Sequence, residues 1–78
     1  MIELYNVTYF ESEYSDECYS KQFDLTNKRD ATNFARSMSK QSGHRSSVYK
    51  SKGFYDQTSY FCSVDSKNIA MYENGKRV

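Results

Sequence analysis

A single segment near the middle of the chain places the strongest constraint on how this sequence can fold. Its apolar residues recur at i, i+3, i+4 and i+7, the spacing that puts them on one side of an α-helix: Ala31, Phe34, Ala35 and Met38. We predict one amphipathic helix here. Because its apolar stripe is one-sided, the stripe has to pack against one face of another element, such as a sheet.

The two ends of this helix carry their own signals. Thr26 or Asn27 can accept a hydrogen bond from an early backbone amide as N-cap, and Asp30 falls in the first turn, where the helix dipole favours a carboxylate. Gly43 can adopt the positive φ of the residue that follows many helices. The sequence therefore predicts a helix over about 27–42.

The segments on either side of the helix favour β-structure. Runs of β-branched and aromatic residues, or of alternating apolar and polar residues, predict strands at 2–10, 17–25, 46–52, 57–65 and 69–72. The expected turns lie around Gly53 and Asp56, at Asp65–Asn68, and at Asn74-Gly75, a strong type I′ hairpin signal. The last residues are expected to fold back briefly.

These elements fit a small fold with two layers. A chain of 78 residues and 9.2 kDa has room for one domain. We predict a single α+β domain over residues 1–78, with one helix packed on an antiparallel sheet in the order ββαβββ. The helix would cover one sheet face and leave the other open to water or to a partner.

The formal net charge of +1 conceals an uneven distribution along the chain. Acidic residues dominate residues 1–24, and basic residues dominate residues 25–53. On the predicted helix, Arg29, Asn33, Arg36 and Lys40 fall on the side opposite the apolar stripe, and Lys28 lies nearer its flank. No acid on the outer side of the helix neutralises this row.

Two interpretations of the basic row remain open, an ordinary solvated helix face and a recognition surface. Solvated faces usually mix positive and negative charges, so an unmixed row favours recognition to some degree. The candidate partner-binding residues are Lys28, Arg29, Asn33, Arg36, Lys40, Arg45, Tyr49 and Lys50.

The residues that usually carry catalysis or bind metal are too few and too scattered for either role. His44, Cys18 and Cys62 show no zinc-ligand spacing. The acidic residues of a predicted loop are Glu11, Glu13, Asp16 and Glu17. A loop is a poor place to hold an acid–base pair at a fixed distance. The isolated glycines form no phosphate-binding loop. We predict a protein that is not an enzyme and has no catalytic residues, no metal and no cofactor.

The sequence also bears on compartment. No apolar run is long enough to span a membrane, and the first residues lack the basic start and apolar stretch of a signal peptide. We expect a cytoplasmic protein that does not bind membranes. In a reducing cytoplasm Cys18 and Cys62 would remain unpaired thiols.

Two stretches carry a resemblance to a known group of proteins: Leu25–Ala31, which opens the helix, and Ala70–Arg77 at the C-terminus. In these stretches the chain resembles small phage-encoded inhibitors of the anti-CRISPR type, most nearly those of type I-F systems. The resemblance implies a stoichiometric inhibitor that acts in the host cytoplasm. It also implies that the inhibitor occupies a host defence protein or ribonucleoprotein complex.

Three classes of function therefore stand as expectations. The first is a non-enzymatic inhibitor that binds a host protein complex, of the defence type or another host factor. The second is a small nucleic-acid-binding protein that uses the same basic row. The third is a module that forms a homodimer or larger homo-oligomer by pairing exposed sheet edges.

Overall fold

One α-helix lies on a five-stranded antiparallel sheet in the computed structural model, which describes all 78 residues. The elements are β1 (Ile2–Tyr9), β2 (Tyr19–Phe23), α1 (Lys28–Ser42), β3 (Ser46–Tyr55), β4 (Phe61–Glu73) and β5 (Lys76–Arg77). The strands lie side by side in the order β2-β1-β3-β4-β5. The predicted fold class, a two-layer α+β domain in the order ββαβββ, is confirmed.

The core lies between α1 and one face of the sheet. Val7 of β1 and Val48 of β3 are directly opposite each other, and neither is exposed to solvent. Ala31 and Ala35 of the helix are equally buried. Because alanine has a short side chain, the helix approaches the sheet closely at these two positions. Tyr5, Ala70 and Tyr72 complete the buried cluster.

The helix ends agree with the prediction at one end and differ at the other. Gly43 follows α1 with φ 75°, and its amide donates to the carbonyl of Ser39 at 3.0 Å. At the start, Asn27 occupies the N-cap position but makes no capping hydrogen bond through its side chain. Asp24 instead caps a preceding 3-10 turn (Leu25–Asn27) by accepting from the amide of Thr26 at 2.9 Å. The predicted N-cap position at Asn27 is therefore confirmed, but the capping hydrogen bond expected from its side chain is wrong.

The region after β3 differs most from the sequence-based expectation. Extended structure at 61–65 and 69–72 is confirmed, but the predicted start at residue 57 and the turn at Asp65–Asn68 are wrong, because residues 61–73 form one continuous strand. Pairing with β3 holds the polar middle of β4 in extended conformation. Two shifts in the pairing register, at Val48/Tyr49 and Lys52/Gly53, leave Ile69 and Val64 of β4 as extra, unpaired residues.

The β3–β4 turn is organised by Asp56. One oxygen of its carboxylate, Oδ1, accepts from the amides of Thr58 at 2.9 Å and Tyr60 at 3.0 Å, and from the Thr58 hydroxyl at 2.7 Å. Ser59 adopts φ 67°, a conformation that non-glycine residues rarely take. Gly53, which was expected in this turn, lies within β3. The hairpin end is therefore held by side-chain hydrogen bonds as well as by strand pairing.

The same hydrogen bonds make this turn sensitive to acid. Those from the Thr58 side chain and the Tyr60 amide lower the pKa of Asp56 below its ordinary value of 3.8. Because the folded-state pKa is the lower one, the ionised Asp56 carboxylate stabilises the turn fully at pH values above the unfolded-state pKa. This stabilisation is lost as the pH falls through the folded-state pKa. We expect the amide resonances of Thr58 and Tyr60 to titrate with a midpoint below 3.8 in an NMR pH series. Asp56→Ala should abolish that titration, and a midpoint at or above 3.8 would contradict this account of the turn.

The sheet face away from the helix is less open than predicted. Leu4 points to this face, since its neighbour Tyr5 belongs to the helix-side core, yet Leu4 is only 5% exposed. Ser51, its partner on β3, is fully buried. The end of the β3–β4 hairpin approaches β2 on this side, and the two line a shallow cavity of about 390 Å³. The second face, which was expected to be open to water or to a partner, is therefore closed at Leu4 and Ser51.

Candidate functional site

The predicted row of basic side chains lies on the exposed side of α1. Arg29, Asn33, Arg36 and Lys40 are all exposed, and we call these four residues the basic ridge. The buried helix positions mark the opposite side, which packs on the sheet: Ala31, Ala35, Ser39 and Ser42. At a rise of about 1.5 Å per residue, the ridge runs for about 16 Å. Lys28, also exposed, begins the helix.

The charges of the basic ridge have no acidic partner within the molecule. The two ion pairs of the structure join Arg45 to Glu73 at 3.7 Å and Lys50 to Glu3 at 3.8 Å. Neither includes a residue of α1. Asp30, the acid of the helix, forms no ion pair either. The positive side chains of the ridge are therefore available to another molecule.

One residue of the ridge, Arg36, lies over an aromatic ring of β4. The guanidinium of Arg36 lies 5.2 Å from the centre of the Tyr72 ring, within the range of a cation–π interaction. The neighbouring turn between β4 and β5 is tied to the helix, because the amide of Gly75 donates to the hydroxyl of Ser39 at 2.9 Å. The structure thus fixes both the helix and one of its cations against the sheet.

Arg77 is a further cation at this site that the sequence analysis missed. It is the cross-strand partner of Tyr72, so its side chain leaves the sheet on the same face as that ring and as Arg36. Its guanidinium donates to the carbonyl of Ile69 at 3.1 Å, which leaves its charge unpaired. The Asn74-Gly75 signal could have revealed this position, since a two-residue hairpin turn there sets Arg77 opposite Tyr72.

The other predicted site residues do not join the basic ridge. Arg45 lies just beyond α1 but is paired with Glu73. Lys50 is on the helix side of β3, where Glu3 neutralises it. Tyr49 is half-buried and points to the opposite face of the sheet, as does its partner Asn6. The structure thus brings together the five predicted helix residues and separates these three from them.

An acidic loop lies beside the C-terminal end of the helix. The loop between β1 and β2 is anchored through its backbone, because Gln41 donates to the carbonyl of Glu11 at 3.0 Å. His44 also reaches the loop, with its Nε2 atom 3.1 Å from the carbonyl of Glu13. The acidic side chains of the loop are exposed: Glu11, Glu13, Asp16 and Glu17. The molecule therefore presents separate acidic and basic surfaces.

The hairpin end of β3 and β4 forms a third exposed feature. Tyr60 is 73% exposed and Phe54 is 50% exposed, although Tyr55 and Phe61 pack edge to face at 5.5 Å. Cys18 is one of the residues that line the cavity between this hairpin and β2, and both cysteines are free. No group of three His, Cys, Asp or Glu side chains is placed to hold a metal ion.

Two further findings concern the chain as a whole. Its one helix is too short and too polar to cross a membrane. In comparisons with known proteins, no family model, no curated protein and no solved structure matches this chain.

Proposed function

We propose that this protein is a small, non-enzymatic binding protein whose basic ridge docks on an acidic surface of a host protein or ribonucleoprotein complex. The observation that carries the proposal is a row of exposed cations on a helix packed against the sheet, with no acidic residue paired to any of them. An inhibitor needs such a surface and no catalytic group, because it acts by occupying its target. The proposal thus matches the inhibitor class that the sequence resembles.

The ridge is not what an exposed helix face selected for stability alone would contain. Arg36 and Lys40 are four residues apart, and like charges at this spacing destabilise a helix by about 0.2–0.5 kcal/mol. One acidic residue at either position would turn this repulsion into attraction. Retaining both cations therefore favours a role outside the fold.

The ridge is also suited to binding because it is already ordered. Ala31 and Ala35 fix the helix on the sheet, and Arg36 is held over Tyr72. Binding through a preformed surface loses little conformational entropy, so more of the interaction energy appears as affinity. Arginine is moreover among the residues that contribute most to protein interfaces.

An acidic protein surface fits the charge distribution better than a nucleic acid does. The exposed acidic loop at the end of the helix would repel a phosphate backbone that continued past Lys40. The net charge of +1 is also low for a dedicated nucleic-acid-binding domain. A protein partner that contacts only the ridge avoids this repulsion.

The proposal predicts that reversing two ridge charges abolishes binding without unfolding the protein. The partner is first isolated by affinity capture of the tagged protein from host lysate, with and without nuclease. Arg36→Glu/Lys40→Glu is then expected to weaken binding to that partner by at least about 100-fold, equivalent to about 2.7 kcal/mol. Circular dichroism should show an unchanged fold, since both positions are exposed.

The matched control is Lys21→Glu/Lys52→Glu, which changes the net charge equally but leaves the ridge residues intact. Because the Lys21 ammonium lies 4.8 Å from the centre of the Phe34 ring on α1, circular dichroism of the control has to show the same fold. Both lysines are exposed on strands of the sheet. We expect this variant to bind the captured partner as the unaltered protein does. If the ridge variant keeps its affinity, or if both variants lose it to the same extent, the ridge is not the interface.

Nucleic acid as the direct ligand is tested by gel shifts with duplex and single-stranded oligonucleotides. We expect no retained complex over the range from about 50 to about 200 mM salt. If a complex is retained, weakens steeply with salt and disappears in the Arg36→Glu/Lys40→Glu variant, the direct ligand of the ridge is a nucleic acid and not a protein.

A further inference from the structure

The outer edge of β4 is unpaired over most of its length. β5 pairs only with Tyr72 and Glu73, although β4 begins at Phe61. Near β5, the carbonyls of Met71 and Ile69 accept hydrogen bonds from Val78 and Arg77. Residues 61–68 have no strand on this side. Such a row of free backbone groups is a template on which another strand can pair.

The middle of this edge is regular and carries two opposite charges. Residues 65–68 pair with β3 without interruption between the irregularities at Val64 and Ile69, and all four are exposed. Asp65 and Lys67 are two residues apart, so they lie on the same face of the strand. This face is the helix side of the sheet, because their β3 partners Lys52 and Lys50 lie there.

Neither charge is satisfied within the chain. Lys67 stands opposite Lys50, a like charge, and Lys50 already pairs with Glu3 at 3.8 Å. Asp65 stands opposite Lys52 but forms no ion pair with it. Like charges directly across a ladder are destabilising. Lys67 therefore has a repulsive neighbour and no acidic partner in its own sheet.

A second copy of this chain supplies that carboxylate. When two β4 edges meet antiparallel with Ser66 opposite Ser66, Asp65 of each copy faces Lys67 of the other. Because such a contact has two-fold symmetry, the complementary pair forms twice. A single charge on an edge normally prevents pairing, whereas two opposite charges at i and i+2 complement each other in this register.

At the other edge of the sheet, the charge opposes pairing with a second copy. β2 is also unpaired on its outer side, and its central residue is Lys21. Self-pairing centred there would set Lys21 against Lys21 of the second copy. Of the two edges of the sheet, β4 is therefore the one whose charges favour a second copy.

We propose that β4 is a self-association site, through which two copies pair antiparallel about Ser66 and join their sheets into one continuous sheet. This interface is separate from the basic ridge and leaves the outer side of α1 exposed. Its small size places it below the area of a standard stable interface, so the dimer is weak and its fraction rises with protein concentration.

The test is sedimentation velocity at low salt over about a hundredfold range of concentration reaching the millimolar level. The expected result is a monomer–dimer equilibrium that Asp65→Lys and Lys67→Asp each weaken at least about tenfold, because each variant sets like charges against each other. The double variant, Asp65→Lys/Lys67→Asp, restores the complementary pairs and should recover the affinity to within about threefold. Lys21→Asp, on the other edge, should leave it unchanged.

These substitutions are at exposed positions, and circular dichroism of each variant verifies that it folds. Slower hydrogen exchange at high concentration, at those backbone amides of residues 65–67 that face away from β3, would place the contact on β4. A protein that is monomeric at every concentration overturns the proposal. So does a dimer that both single variants leave intact, or one that the double variant fails to restore.

Discussion

Substituting Gly53 by alanine is expected to destabilise the protein by about 3 kcal/mol, a large part of the stability available to a domain of this size. Gly53 is buried in β3 at one of the two register shifts. A Cβ atom at this position would overlap the carbonyl oxygen of Cys62 and lie 2.9 Å from the Phe61 ring. The obstacle is the backbone of the paired strand, so it can move only if the pairing between β3 and β4 changes.

Urea denaturation followed by circular dichroism measures the loss. Ser63→Ala is the control, because Ser63 pairs with Gly53 across the ladder, is exposed, and loses only the hydrogen bond between its hydroxyl and that of Ser66. Its expected cost is below about 1 kcal/mol. Amide exchange should show the Gly53→Ala defect first at residues 54–62. An unchanged denaturation midpoint for Gly53→Ala would mean that the hairpin takes up the extra carbon without loss of pairing.

The helix and its ends show how much of the fold local sequence determines. The i, i+3, i+4, i+7 pattern and Gly43 located α1 to within one residue at each end. Asn74 and Gly75 both have positive φ, 51° and 80°, as the hairpin signal predicts. In these places the conformation depends on neighbours along the chain, so the sequence pattern is sufficient.

β4 shows where local reasoning fails. Asp65–Asn68 consists of residues that favour turns, yet it is extended because β3 pairs with it along its whole length. The extra residues Val64 and Ile69 also shift the alternation of faces, so no single period of two runs through the strand. Strand pairing between distant segments decides the structure here, and single-sequence patterns do not report it.

The candidate site divides in the same way. The ridge on α1 was predictable because helical periodicity alone places its residues on one side. The ion pairs of Lys50 with Glu3 and of Arg45 with Glu73 join residues that are far apart in the sequence, so helical periodicity could not predict them. The same holds for the position of Arg36 over Tyr72. Sequence thus identified the cations, and the sheet determined which of them remain unpaired.

Tyr72→Ala is expected to cost about 3–4 kcal/mol, because it removes one of the largest side chains of the core. Tyr72 is 3% exposed and belongs to the buried cluster between the helix and the sheet. The substitution would leave a cavity in this cluster, whose other members are mostly alanines and valines that are too small to fill it. Thermal and urea denaturation measure the loss.

The control for this prediction is Tyr72→Phe, which keeps the aromatic ring and is expected to change stability by less than about 1 kcal/mol. The alanine variant removes both the ring and the hydroxyl, whereas the phenylalanine variant removes only the hydroxyl, so the difference between them measures the packing of the ring. The same ring supports the guanidinium of Arg36. Tyr72→Phe should therefore retain the binding that depends on Arg36. If Tyr72→Ala cost no more than Tyr72→Phe, the core would not depend on this ring, and the other members of the buried cluster would be sufficient to hold the helix.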